Sequence, residues 1–164
     1  MKDGHTFIGI DPGMSGAIAF LGMGYTHVQT LPITGSGKAR ELDVRELKVI
    51  IMHFRGQTNT VILEKVHSMP GQGVSSTFKF GKVFGQLDAT VKCCKLAMVL
   101  VTPQAWKKEV LKGMDWKGNK AASIQYCQTK YPSIDLKRSP RCKTPHDGIC
   151  DAICMAEYGM IKYA

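Results

Sequence analysis

Short apolar runs open the chain, and helical periodicity takes over toward its end. Residues 6–11 (TFIGID) form a β-rich run that stops at Pro12-Gly13, and residues 16–21 (GAIAFL) form a second one. The turn between them, Pro12-Gly13-Met14-Ser15, is short enough for an antiparallel hairpin. Residues 26–31 predict a third strand, closed by Pro32. Residues 33–40 (ITGSGKAR) are polar, glycine-containing and basic, and read as a flexible loop. Asp43 is placed to cap a helix running to about Phe54, with Val44, Leu47, Ile50 and Ile51 on one side. Residues 60–64 (TVILE) make an apolar strand that ends abruptly in a carboxylate, and residues 67–73 read as a mobile loop.

A long helix is predicted over residues 75–94 from the spacing of Phe80, Val83, Phe84, Leu87 and Val91. Phe78, Phe80 and Phe84 are assigned to the core, and Gly81 and Gly85 would let a neighbour approach closely. Residues 97–101 predict another buried strand. Thr102-Pro103 starts a short helix over 104–111. Residues 119–130 are helical, 131–145 form a basic loop with three prolines, and 146–163 form the last helix. This order implies an α/β fold whose mixed central sheet has antiparallel first strands, parallel additions and flanking helices.

Composition narrows the partner. The 164 residues suit a single domain spanning 1–164, and 22 Lys plus Arg stand against 13 Asp plus Glu, a net charge of +9. That excess points to a polyanion, of which nucleic acid is the commonest. No run reaches the ~18 apolar residues of a membrane span, and no apolar leader precedes the first strand. The expectation is a cytoplasmic protein, in the host cytoplasm if phage-encoded, with no membrane partner. The six cysteines include an adjacent pair, Cys93 and Cys94, and no Cys-x-x-Cys, which reads as reduced packing residues. His146, Cys150 and Cys154 recur every four residues, so a structural metal face on that helix is an alternative, although no fourth ligand stands at a recognisable spacing.

The informative feature is the placement of acids in apolar surroundings. Asp11 ends the first strand and Glu64 ends the TVILE strand. Asp147 and Asp151 lie four residues apart on one face of the last helix. Each has a plain alternative: a turn former for Asp11, a strand-end surface residue for Glu64, a dipole-favoured first-turn acid for Asp147. Together they point elsewhere. Clustered buried carboxylates raise one another's pKa, and a divalent cation removes the conflict. An all-oxygen ligand set suits Mg²⁺ or Mn²⁺, and two such ions can activate water and stabilise the leaving oxygen of a phosphodiester.

Three blocks then resemble a known family. Ile8-Gly9-Ile10-Asp11-Pro12-Gly13, Ile62-Leu63-Glu64 and Asp151-Ala152 are similar, in order and spacing, to the motifs of RuvC-type Holliday junction resolvases. Ser76-Thr77-Phe78-Lys79-Phe80-Gly81 with Gly85, and the basic stretch 103–120, resemble the segments between them. The compact form with His146-Asp147-Gly148 is similar to phage-type members. The resemblance implies an RNase H-like (retroviral integrase-like) fold and a homodimer, with the helix over 75–94 as its expected surface. Each subunit would cut one strand of a four-way DNA junction with Mg²⁺ or Mn²⁺, two ions per site. Carried over by position, Asp11, Glu64 and Asp151 are metal ligands. The family places its fourth acid where this chain has Gly148, which leaves Asp147 as substitute and His146 as alternative ligand or general-base assistant. His67 stands near a family aromatic that wedges into the junction. Lys120, with Lys107 or Lys108, would stand close to the scissile strand.

Basic residues supply candidate DNA contacts: Lys79 and Lys82 on one helical face, Lys107, Lys108 and Lys117 near Trp106 and Trp116, and Arg138 and Arg141 in the loop before the last helix. Other readings stay on the table. One is a nuclease for flap DNA or RNA–DNA hybrid; another is a non-catalytic branched-DNA-binding module. Actin-like ATP-binding kinases also place an Asp-x-Gly turn after a first strand. They need a second similar domain, for which 164 residues leave no room, so no nucleotide cofactor is expected.

Overall fold

The computed structural model describes residues 4–22, 24–66, 73–119 and 121–164. His67 and Lys120 lie outside them. Three strands come first: β1 (His5–Asp11), β2 (Ala17–Gly22) and β3 (Tyr25–Thr30). They pair as an antiparallel meander, Ile10 opposite Ile18 and Ala19 opposite Val28. Residues 33–42, in place of the expected flexible loop, fold into a small hairpin of β4 (Ile33–Thr34) and β5 (Glu41–Leu42), with one 3₁₀ turn between them. Two-residue strands are too short to write a period into the sequence. What pins the hairpin is Leu42, which is buried in the core across from Ile33.

Helix α1 (Val44–Phe54) starts at Asp43, whose carboxylate accepts from the backbone N–H of Arg45 and Glu46. Its buried side is Leu47, Ile50 and Ile51; Val44, expected there, stands at the exposed first turn. Strand β6 (Thr58–Glu64) then runs parallel to β1, and after helix α2 (Val74–Cys93) strand β7 (Ala97–Val101) runs parallel to β6. The sheet order is β3-β2-β1-β6-β7. Helices α3 (Pro103–Val110), α4 (Ala122–Lys130) and α5 (Asp147–Tyr163) complete the chain. None of the described helices is long and apolar enough to cross a membrane.

Period-two alternation splits the core in two. Ile8, Ile10, Ile18, Phe20, Val61 and Leu63 face α1 and α2, while Phe7, Ala19 and Ile62 face α3, α4 and α5. Buried residues of α2 begin at Val83, so its first turns stand clear of the core. Phe78 is therefore 74% exposed, contrary to its core assignment, and Phe80 and Phe84 are only half-buried. An added Cβ at Gly81 or Gly85 meets nothing within 4 Å, so the close approach expected there is not made among the described residues. The six cysteines form no disulfide, and Cys94, Cys127, Cys150 and Cys154 are buried.

Helix α5 lies directly on β1, and Gly9 makes this contact fit. A Cβ there would stand 2.0 Å from the carbonyl oxygen of Ala152 and 2.5 Å from the nitrogen of Ala156. Both are backbone atoms that cannot step aside without moving the helix. Gly9→Ala is expected to cost more than about 4 kcal/mol, because an overpacked backbone contact has no side chain to yield. Loss of a cooperative thermal transition would show it; a melting point within a few degrees of wild type would contradict it.

Candidate active site

Two acids leave the sheet at neighbouring strand ends. In the parallel ladder Gly9 pairs with Ile62 and Ile10 with Leu63, so one further step sets Asp11 beside Glu64. Alternation along β1 puts Asp11 on the side of Phe7 and Gly9, and along β6 it puts Glu64 on the side of Ile62. That side is the one covered by α5. The third acid, Asp151, descends from α5 itself. Its helix comes down close over Asp11 because position 148 is glycine: a Cβ there would lie 2.7 Å from Asp11 Oδ2 and 3.0 Å from the Ser15 carbonyl oxygen.

The start of α5 is fixed by His146, whose Nδ1 accepts from the Ile149 backbone N–H at 3.3 Å. Asp147 stands at the rim. Its side chain is 80% exposed, and its Oδ1 accepts from the Gly148 N–H at 2.9 Å. It shares with Asp151 a cavity of about 250 Å³ that is also lined by Lys107, Asn119 and Ser123.

Burial sets the electrostatics of the three inner acids. Asp11 is pushed well above the ordinary carboxylate range, first by burial and then by the charges of Asp151, Glu64 and Asp147; Lys107 opposes the rise. Glu64 is raised by burial, with Trp106 and Lys107 pulling it back and Asp151 pushing it further. Asp151 is also raised by burial, against a hydrogen bond from Ser123 and the charge of Lys107. Lys107 is thus the cation common to all three. Its Nζ sits 5.1 Å from the ring centroid of Trp106, and it is half-buried.

Trp106 and Ser123 stand beside the acids, and sequence reasoning placed neither in the site. Trp106 is fully buried, and its Nε1 donates to Glu64 Oε2 at 2.9 Å. A signal for it existed: Trp106 and Val110 mark the inner face of α3, and a buried indole N–H must find an acceptor. Ser123 carried no such signal, because a serine in the first turn of a helix is commonplace.

The acid trio, with Asp147 at the rim, is the donor set a hard divalent cation takes: oxygen only, anionic, and desolvated enough that the protein itself destabilises the charges. Among the described residues no group of three His, Cys, Asp or Glu side chains is gathered tightly enough to hold an ion as it stands, so binding would have to draw the carboxylates inward. The remaining predicted residues spread out. Lys108, Lys117, Arg138 and Arg141 are exposed on α3 and the later loops, and Lys79 is exposed on α2. Lys82 is tied to Glu41 by a 2.6 Å ion pair.

Comparison with known proteins agrees with this architecture. No protein-family profile and no curated protein matches the sequence. Among solved structures, Thermus thermophilus RuvC is similar with a TM-score of 0.60 at 17% identity, over 94% of this chain and 93% of that one. The same protein in complex with a Holliday junction substrate is similar with a TM-score of 0.58 at 14% identity, covering 96% of both chains. The yeast mitochondrial Holliday junction resolvase Ydc2 also scores 0.58, at 11% identity, over 96% of this chain and 78% of that one. Identities this low speak for architecture, and the mixed five-stranded sheet with its flanking helices has the RNase H-like fold of RuvC.

Proposed function

We propose that the chain is a divalent-metal-dependent endodeoxyribonuclease that resolves four-way (Holliday) DNA junctions. The observation that carries the reading is the gathering of Asp11, Glu64 and Asp151 from β1, β6 and α5 on one face of the sheet, buried, with Lys107 as their shared cation. Support comes from the fold, which is that of proteins whose names state junction resolution or which hold a junction.

Asp11, Glu64 and Asp151, with Asp147 from the rim, would hold one or two Mg²⁺ or Mn²⁺ ions, which when bound supply an activated water and neutralise phosphate charge. The chain's own residues do the rest. Trp106 fixes the orientation of Glu64 by occupying one of its oxygens. Ser123 lines the same cavity as Asp151 and favours its charged form. Lys107 offsets carboxylate charge and offers a cation to the developing negative charge on phosphorus-bound oxygens, a role shared with Lys120. His146 is engaged through Nδ1 as the helix cap, and in this reading Asp147 takes the fourth-acid role. Lys79, Lys108, Lys117, Arg138 and Arg141, with His67, would grip the junction arms through phosphate contacts. The protein would act as a homodimer, cutting one strand per subunit.

The test is a cleavage assay on four-way, Y-shaped, flap, linear and RNA–DNA hybrid substrates with mapped cut sites. Paired nicks in opposing strands of the four-way junction, abolished by EDTA and restored by Mg²⁺ or Mn²⁺, are expected. Metal-independent cutting, or preference for hybrid or flap over the junction, would overturn the assignment.

A further inference from the structure

Around the end of β1 from the acids, on the α2 side of the sheet, lies a second concave surface of about 250 Å³. Lys38 and Arg40 wall it from the turn between β4 and β5, and Lys79 and Lys82 wall it from α2. Because this segment is a folded hairpin, its cations are presented from a fixed element. Glu41 is the acid that enters the groove, and it is consumed by Lys82 at 2.6 Å. Lys38, Arg40 and Lys79 meet no acid among the described residues. Unmatched cations around a cleft concentrate positive potential there and attract an anionic chain.

Two further observations narrow the ligand. Gln86 lines the groove, and its Oε1 is buried without a hydrogen-bond partner among the described residues. A buried acceptor in that state is normally satisfied by something, and no donor among the described residues does so here. Phe78 lines the same groove with its ring largely in solvent, a flat apolar face next to cations. Cations, a π-face and an unpaired amide acceptor together match a nucleotide: phosphate, base plane and base N–H.

The groove is also connected to the acids. Met14, at its near wall, belongs to the turn that directly follows Asp11, and the Phe80 ring lies 3.7 Å from where a Cβ on Gly13 would stand. We propose that this groove is a second DNA subsite, which holds the backbone and one unstacked base of the strand that passes the Met14 turn from the acid site. Phosphates lie against Lys38, Arg40 and Lys79; the base lies on Phe78 with an N–H directed to Gln86. The proposal rests on the nuclease reading and extends it to residues outside the acid site.

The experiment uses Asp11→Asn protein, which is expected to bind without cutting, titrated with a four-way junction over a range of salt concentrations. In that background Lys38→Gln/Arg40→Gln is expected to weaken binding about tenfold. It should also lower the slope of log K against log salt by about two. Lys48→Gln/Lys95→Gln, the same charge change near Cys94 at the far end of α2, should leave the slope unchanged. A junction carrying 2-aminopurine beside the cut tests the base contact: its emission should change on binding, and Phe78→Ala should remove that change. A groove variant indistinguishable from the Lys48/Lys95 control overturns the subsite, as does an emission change untouched by Phe78→Ala. Absence of junction binding by the parent protein overturns the nuclease reading itself and the subsite with it.

Discussion

Asp11→Asn is expected to lower the rate of junction cleavage by about a thousandfold while changing junction affinity less than about threefold. The asymmetry follows from where Asp11 sits. It is buried among other acids, and among the described residues Lys107 alone offsets its charge, so under the proposed function that charge serves an ion and not DNA. Metal-assisted stabilisation of a phosphoryl transition state is worth several kcal/mol. At 1.36 kcal/mol per tenfold, about 4 kcal/mol is a factor of about a thousand. Under the proposed function binding is carried by cations spread over α2, α3 and the later loops, of which only Lys107 interacts with Asp11 among the described residues. Single-turnover cleavage and gel-shift titration on one junction measure both quantities. A parallel fall in rate and affinity would place Asp11 among the DNA-positioning contacts.

The same substitution should stabilise the metal-free protein. Burial, first, and then mutual repulsion raise Asp11, Glu64 and Asp151 above the values they have in the unfolded chain. Groups raised in this way contribute fully to stability below the ordinary carboxylate pKa. That contribution is lost as pH climbs through their folded values, where the folded state holds protons the unfolded state has released. Without a divalent cation, Asp11→Asn is therefore expected to exceed wild type by about 1–2 kcal/mol at pH 7. That corresponds to roughly 2–8 °C in melting temperature for a chain of this size. The gap should narrow as pH is lowered toward 4 and the carboxyls protonate in both states. Saturating Mg²⁺ or Mn²⁺ should raise wild type selectively, by about 2.7 kcal/mol at a hundred times the dissociation constant. Thermal melts across pH, with and without the ion, provide the measurement. A gap that widens toward acid pH would mean that Asp11 is stabilised as an anion, contrary to its surroundings.

Much of this was readable before any coordinates because the acids violate their local pattern. Asp11 and Glu64 each terminate an apolar strand, and Asp151 interrupts a helix face between Ile149 and Ile153. A charge that breaks a run is visible in one dimension, and period two even assigns it a side of the sheet. The hairpin at β4 and β5 was not visible, since two residues per strand hold no periodicity. Phe78 has the spacing of a core residue, but spacing cannot say where a helix outruns the sheet beneath it. The Trp106 bond to Glu64 joins residues far apart in sequence, and nothing local announces which acid the indole will meet. Gly148 was legible as a departure from the family pattern. Only the coordinates show the reason, a space beside Asp11 into which a side chain would intrude.

The seating of the last helix on the first strand has a consequence for biosynthesis. Asp11 leaves the ribosome early and Glu64 midway, yet neither is enclosed until α5 has emerged and docked over Gly9. Contacts between the two ends of a chain form late and slowly, because the intervening loop must close first. A nascent or C-terminally truncated chain therefore carries the first two acids open to water, and the three-acid site is complete only as one of the final events of folding.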